Sequence, residues 1–315
     1  MRAINEKKYS VLEIDTVNRQ AQENPANLVT QSEAYYNSQV MRAAEMIKDA
    51  AGQYRFILLC GPSASGKTTT AHKLKHRLIA HGVGADVLSM DDFYRGMEYY
   101  PKMADGNPDM ESVQALDMDL LNYCFDQLAQ RGQAMFPLFD FATQKRTLEA
   151  QPISLPPGHV LIIEGIHALN PQVLAHVPPE QIYRIYVSVR TKFMSGADTV
   201  LVPKDIRLMR RMVRDSKFRN YPPIHTVRYW DHVVASEKIN IDLYRDDVNL
   251  KMDNTIDYEV CVWHQILKDT LEHVDDDVYD QYPQLALIQK GLRLFCGVDQ
   301  GLIPSNSLLW EFIGK

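Results

Sequence analysis

The chain has 315 residues, 45% hydrophobic and 23% charged; this is the balance of a soluble globular protein with one large domain or two ordinary ones. Its net charge of -6 argues against a general nucleic-acid binder, and no apolar run approaches the roughly 18 residues of a membrane span. The opening "MRAINEKKYSVLEID" lacks the apolar core of a signal peptide, and Cys60, Cys124, Cys261 and Cys296 are too scattered for a metal or redox pair, so a reduced, cytoplasmic protein with buried thiols is expected.

Residues 1–29 are polar and weakly patterned. "TQSE" at 30–33 has the spacing of a capping box and predicts a helix over 30–51, closed by Gly52. "RFILLC" at 55–60 predicts a buried strand. The stretch that follows it, "GPSASGKT" at 61–68, fits G-x-x-x-x-G-K-[ST] at every fixed position. It lies between that strand and a helix predicted over 67–81, as a phosphate-binding loop requires. Its glycines let the backbone curl with N–H groups inward, and the helix N-terminus adds partial positive charge. By chance such a motif arises in a chain of this length roughly once in 100. Its mechanics assign Gly61, Ser63, Ala64, Ser65, Gly66, Lys67, Thr68 and Thr69 to ATP, with Lys67 on the β- and γ-phosphates and the Thr68 hydroxyl on Mg²⁺.

A second strand, "ADVLSM", is followed by Asp91 and Asp92. It follows the loop's helix, so its carboxyl end belongs beside the phosphates. Consecutive residues at a strand end point to opposite sides. One acid can therefore face the nucleotide, as a base or near the metal, while its neighbour caps the next turn. Spacing leaves Asp91 open between catalysis and structure and favours a cap for Asp92. A helix is predicted around Leu116, Leu120, Leu121, Cys124 and Leu128. Next, the strand "HVLIIEG" ends in Glu164, an acid out of place in a buried strand unless it is paired or faces a cation. "RIYVSVR" is a further strand, and 204–219 is a basic helix with Arg207, Arg210, Arg211 and Arg214 at helical spacing. The end of the chain is mostly helical. Alternating strands and helices predict an α/β fold with a mostly parallel sheet flanked by helices. No guanine-reading N-K-x-D and no Asp-Glu strand end is present, which points away from a GTP switch and from a motor ATPase.

"GPSASGKTTT", "SMDDFYR", "FPLFDFATQKR", "LIIEGIHAL" and "RLMRRMVRDSKFRNY" occur in this order. Together they resemble the phosphoribulokinase/uridine kinase family of P-loop kinases, most of all bacterial uridine kinase-like nucleoside kinases. The resemblance implies a P-loop NTPase core over 52–262 with a helical lid about 204–221, an N-terminal arm and helix over 1–51, and a helical C-terminal extension over 263–315 packed on the core. It also implies Mg·ATP-dependent transfer to a hydroxyl, the 5′-OH of a nucleoside. On it, Asp91 is the base, Asp92 is structural, and Glu164 assists Mg²⁺ with Thr68 and Asp91. Arg211, Arg214 and Arg219 contact phosphates, and Glu111, Phe139, Gln144 and Arg146 line the acceptor pocket.

Four positions depart from the family pattern. Phe139 and Gln144 stand where uridine kinases show Tyr and His, Tyr221 replaces a last lid Arg, and Trp310 stands where Arg is expected. Phe139 can stack on a base but donates no hydrogen bond, so a sugar, polyol or vitamin-precursor acceptor stays open, as does a regulatory protein without turnover. The partner is a small molecule, with neither nucleic acid nor membrane expected; a homo-oligomer stays open. Two smaller signals are discounted. His72 and His76 lack a third ligand for zinc. His167, just past Glu164, reads more simply as a satisfied structural histidine than as a substrate contact.

Overall fold

The computed structural model describes residues 9–314 except 51, 104–105, 141–142, 273 and 275. The chain opens with β1 (Ser10–Glu13), α1 (Ile14–Glu23) and α2 (Pro25–Asp49). The helix predicted over 30–51 therefore starts earlier. Asn24 accepts from the Asn27 amide at 3.1 Å and Pro25 occupies the first turn, where a proline's missing N–H costs nothing. The 30–33 quartet lies inside this helix. Thr30 bonds back to Ala26 O, and buried Glu33 accepts from the Tyr258 hydroxyl.

Next come β2 (Phe56–Cys60), α3 (Lys67–Ala80), β3 (Ala85–Ser89), α4 (Met118–Arg131), β4 (Gln133–Asp140), β5 (Lys145–Ser154), β6 (Val160–Gly165) and β7 (Ile182–Ser188). The chain continues through β8 (Thr191–Ser195), β9 (Asp198–Leu201), α5 (Pro203–Phe218), α6 (Pro223–Asn240), β10 (Leu250–Asp253), α7 (Glu259–Glu272), α8 (Asp276–Gln281), α9 (Pro283–Leu292) and α10 (Trp310–Ile313). The central sheet is parallel throughout, in the order β10-β7-β2-β6-β3.

Every residue of β2 and β6 is buried, and their side chains alternate between two cores. Ile57, Leu59, Val160 and Ile162 enter the core under α2, α3, α5 and α7. Phe56, Leu58, Cys60, Leu161 and Ile163 enter the one under α4 and the β4–β5 hairpin. A two-residue period on a strand covered on both faces produces this division. Truncating Ile57 to Ala at the centre would cost about 2–5 kcal/mol.

Two features were not predicted. The antiparallel β4–β5 hairpin has prolines at 137 and 152 that interrupt its strand pattern, with an irregularity between Phe136 and Leu138. β1 joins β8 and β9 in a small separate sheet through a parallel pairing. That pairing spans most of the chain, out of reach of local periodicity. Among the described residues no helix is long and apolar enough to cross a membrane.

Candidate active site

The sheet order puts three carboxyl ends side by side. Glu164 on β6 pairs in register with Leu59 on β2 and with Ser89 on β3. The loop after β2 and the turn after β3 thus flank it, outside the strand ends where open α/β sheets bind ligands.

The loop 61–66 is buried and curled. Ala64 has φ 58 and Gly66 has φ 83. Left-handed residues spaced in this way turn successive N–H groups inward to make an anion-binding nest. Gly61 is required for a different reason: a Cβ there would sit 2.1 Å from Val187 O. Lys67 reaches back to Pro62 O. The backbone donors and the α3 N-terminus fit a polyphosphate.

Beside them the Thr68 hydroxyl donates to Glu164 Oε1 at 3.1 Å, as does Ser89 Oγ at 3.0 Å. Asp91, just past the end of β3, is half-buried. Burial, then the neighbouring Asp91 charge, raises Glu164. Burial raises Asp91, against the pull of Lys67. Two close carboxylates, both resisting ionisation, together with a threonine hydroxyl form an all-oxygen set that fits Mg²⁺. Among the described residues no three His, Cys, Asp or Glu side chains gather around a metal position. Magnesium does not require such a gathering, because it is held by one or two carboxylates plus substrate phosphates.

Asp92 is structural, but it does not cap the turn. Ser89 accepts from the Asp91 amide and caps the short 3-10 turn Met90–Phe93. Asp92 ties that turn to the hairpin, accepting from the Phe139 amide at 3.1 Å and from Gln151 Nε2 at 3.3 Å.

The basic helix α5 divides along its length. Arg207 and Arg210 are 8% and 0% exposed and belong to no mobile phosphate-facing surface. Arg207 clasps Glu237 at 2.7 Å and donates to Ser63 O, while Glu237 accepts from the Ser63 amide. Arg210 forms a two-pronged pair with Glu259 at 2.6 and 2.8 Å and donates to Ala64 O and Asn254 O. Asn254 in turn donates to Ser65 O and to the Thr70 hydroxyl. These two arginines brace the phosphate loop from behind. The predicted phosphate-contacting residues Arg211, Arg214 and Arg219 all converge on Asp215, at 3.3, 2.8 and 3.4 Å. Burial works against ionisation of Asp215, but the three arginines hold its carboxyl below the usual range. Arg211 also donates to Ser63 Oγ and to Glu111 Oε1 at 3.1 Å, so Glu111 is brought to α5 rather than left alone in a pocket.

The remaining acceptor-side candidates are engaged in the scaffold. Arg146 donates to Asp117 Oδ2 at 3.0 Å and to Phe93 O. Phe139 is 9% exposed and packs on Tyr94. Gln144 sits in the hairpin turn with φ 55. His167 is buried, and among the described residues neither ring nitrogen makes a hydrogen bond of ordinary geometry, though the Glu111 backbone lies close by.

Sequence reasoning missed Asp215, Glu237, Asn254, Glu259 and Glu311. An acid inside the basic run marked Asp215; the others carry no local signal. Glu311 comes from the far end of the chain and accepts from the Thr69 amide at 3.1 Å and its hydroxyl at 2.6 Å. Trp310, the departure from the family pattern, donates its indole N–H to Pro304 O at 2.7 Å and helps fold this segment.

The family model described as Phosphoribulokinase / Uridine kinase family matches residues 56–228. A protein named uridine kinase from Deinococcus deserti is 27% identical over 55% of this chain and 73% of its own. One of the same name from Staphylococcus carnosus is 25% identical over 62% of this chain and 95% of its own. A solved structure described as a possible uridine kinase from Bacillus stearothermophilus aligns with a TM-score of 0.47 at 17% identity, covering 69% of this chain and 98% of its own.

Proposed function

The chain belongs to the Phosphoribulokinase / Uridine kinase family of P-loop kinases, and from that premise we propose that it transfers the γ-phosphoryl group of ATP to the 5′-hydroxyl of a nucleoside. The observation that carries this reading is the meeting of the phosphate loop, Glu164 and Asp91 at adjacent strand ends. The nucleoside comes from the relatives, which are named uridine kinases.

In this reading the loop amides and Lys67 hold the β- and γ-phosphates. Thr68 and Glu164, with Asp91 beside them, would hold Mg²⁺, which would supply charge neutralisation on those phosphates. Asp91 takes the proton of the acceptor hydroxyl. The hydroxyl oxygen forms a bond to the γ-phosphorus as the bond from that phosphorus to the β-γ bridging oxygen breaks, and ADP leaves with that electron pair. Burial favours protonated Asp91, so the carboxylate is a willing proton acceptor at this point. Arg211, Arg214 and Arg219, aligned by Asp215, stabilise the charge on the transferring group and exclude water.

A second reading keeps the mechanism and replaces the acceptor with a sugar or polyol. Its support is that Phe139 and Arg146, expected on the nucleoside, are held by Tyr94 and Asp117. The deciding experiment measures ADP release with Mg·ATP against uridine, cytidine, purine nucleosides, sugars and polyols, with Asp91→Asn in parallel. Stimulation by a nucleoside, lost in the variant, supports the first reading. Stimulation by a non-nucleoside alone establishes the second, and full activity in Asp91→Asn removes the assigned base.

A further inference from the structure

The loop after β6 carries His167, a side chain that the chemistry above does not use. It is 1% exposed, and among the described residues neither Nδ1 nor Nε2 makes a hydrogen bond of ordinary geometry, though the Glu111 backbone lies close by. Leaving a buried polar group unpaired costs about 1–3 kcal/mol. Packing alone gives no reason for an imidazole here rather than an apolar side chain.

The charged groups that face His167 are Glu111 and Asp109, from the segment before α4, and Lys67 of α3. Burial outweighs the two acids and pushes the imidazole down to about 4, so the ring is neutral near pH 7. A neutral imidazole presents one donor and one acceptor. That pair complements an alcohol O–H; a phosphate or carboxylate would call for donors only.

Two tyrosines share this character. The Tyr100 and Tyr229 hydroxyls are buried and make no hydrogen bond of ordinary geometry among the described residues, though the Met110 backbone lies close to Tyr229. Tyr229 interacts electrostatically with Glu111 and Asp109, and Tyr100 with Asp91. Buried groups that each lack a hydroxyl-like partner therefore lie around the acids at the acceptor end. Burial of that kind is tolerated when a ligand completes it.

We infer that His167 binds the acceptor, its ring exchanging hydrogen bonds with a hydroxyl of an uncharged, polyhydroxylated molecule beside Glu111. This rests on the kinase reading above and deepens it. In the nucleoside case the partner is a ribose hydroxyl, and an acceptor bearing a phosphate at that end is disfavoured.

The test is steady-state kinetics of wild type, His167→Leu and His167→Gln. ATP and acceptor are varied separately, and each nucleoside is compared with its 2′-deoxy and 3′-deoxy forms. His167→Leu should raise the acceptor KM about tenfold, the worth of a hydrogen bond of about 1.4 kcal/mol, and leave the ATP KM unchanged. His167→Gln, which keeps a donor and an acceptor, should recover most of that loss. Wild type should prefer the ribonucleoside over one deoxy form, and His167→Leu should lose the preference. Thermal melting of His167→Leu should match or exceed wild type, because the unpaired nitrogens are gone.

An unchanged acceptor KM in an active His167→Leu enzyme would overturn the inference while sparing the kinase reading. An equal rise for ribo and deoxy acceptors and for ATP would do the same. If wild type phosphorylates only a sugar or polyol, the nucleoside reading falls and the same comparison on that acceptor decides His167. If wild type phosphorylates nothing in the panel, both fall.

Discussion

At the nucleotide end, the groups aimed at a ligand are backbone N–H donors, and the side chains around them face away to hold the loop. Arg207 and Glu237 grip Ser63, Arg210 grips Ala64, Asn254 grips Ser65, and Glu311 grips Thr69. At the acceptor end the arrangement is inverted. The groups that could meet a ligand are side chains, and His167, Tyr100 and Tyr229 keep buried polar atoms unpaired among the described residues. A polyphosphate presents the same oxygens in every ATP, so a braced backbone can be committed to it in advance. Acceptors differ, so recognition falls to side chains that are completed by the ligand.

Asp91→Asn gives the sharpest separation of the two ends. Turnover should fall about 10²–10⁴-fold, the contribution of a positioned general base. Affinity for ATP measured without Mg²⁺ should hold, because no loop donor changes. Isothermal titration beside an ADP-release assay would show this; a matching loss in ATP affinity would mean that the ends are not separable.

Next in size is the brace behind the loop. Glu259→Ala leaves the Arg210 guanidinium, fully buried, without its two-pronged partner. Removing one partner of a buried pair costs about 3–5 kcal/mol, and urea unfolding should register it. Replacing both partners by apolar residues of similar volume, Arg210→Met with Glu259→Leu, should restore much of that stability. It should not restore ATP affinity, since Ala64 O and Asn254 O also lose their donor. Recovery of both would make Arg210 a core residue without a role in loop geometry.

A smaller effect tests the acceptor end through pH. The folded His167 is pushed down from 6.5 to about 4. Between those values the unfolded chain takes up a proton that the folded chain refuses, so stability is full above about pH 6.5 and is lost as pH falls toward 4. Linkage gives a loss of about 2 kcal/mol between pH 8 and pH 5. Denaturant melts of His167→Gln should lack this part of the slope. If wild type and the variant run parallel across that range, His167 is open to water in solution.

The contrast between the ends also explains what could be read from the chain beforehand. The strand, loop and helix at 55–81 were readable because the phosphate cradle is made by contiguous residues with fixed backbone demands. Asp91 and Glu164 were readable as acids at the ends of apolar strands, since burying a lone carboxylate is costly without a cation or a partner. Arg207 and Arg210 were read only as members of a basic helix, because helical spacing reports which residues share a face; it does not say whether that face meets solvent. Their partners Glu237 and Glu259 lie 30 and 49 residues away, beyond any local pattern. The β4–β5 hairpin was missed because its prolines mask the alternation, and with it the role of Asp92.

The smallest predicted effect bears on how completely the nucleotide end is committed in advance. Glu311, on the last helix, accepts from the amide and hydroxyl of Thr69 in the first turn of α3. Loop and helix donors of this kind cradle the α- and β-phosphates. Leu308 of the same segment lies against Gly66, where a Cβ would be 2.5 Å from its Cδ1. A carboxylate on these donors does two opposite things. It satisfies a helix N-terminus that would otherwise lack acceptors, and it sets a negative charge where a polyphosphate approaches. Glu311→Gln keeps an acceptor for Thr69 and removes the charge. Charge effects at a helix terminus amount to about 0.3–1 kcal/mol, so ATP should bind up to about fivefold more tightly to the variant, with the gain shrinking in high salt. Titration calorimetry at two salt concentrations would read it. An unchanged affinity would make Glu311 a cap alone, and the C-terminal segment would then brace the loop from behind as Arg207 and Arg210 do. A salt-sensitive gain would place a tethered anion in competition with the phosphates, and the nucleotide end would share with the acceptor end a site finished only when its ligand arrives.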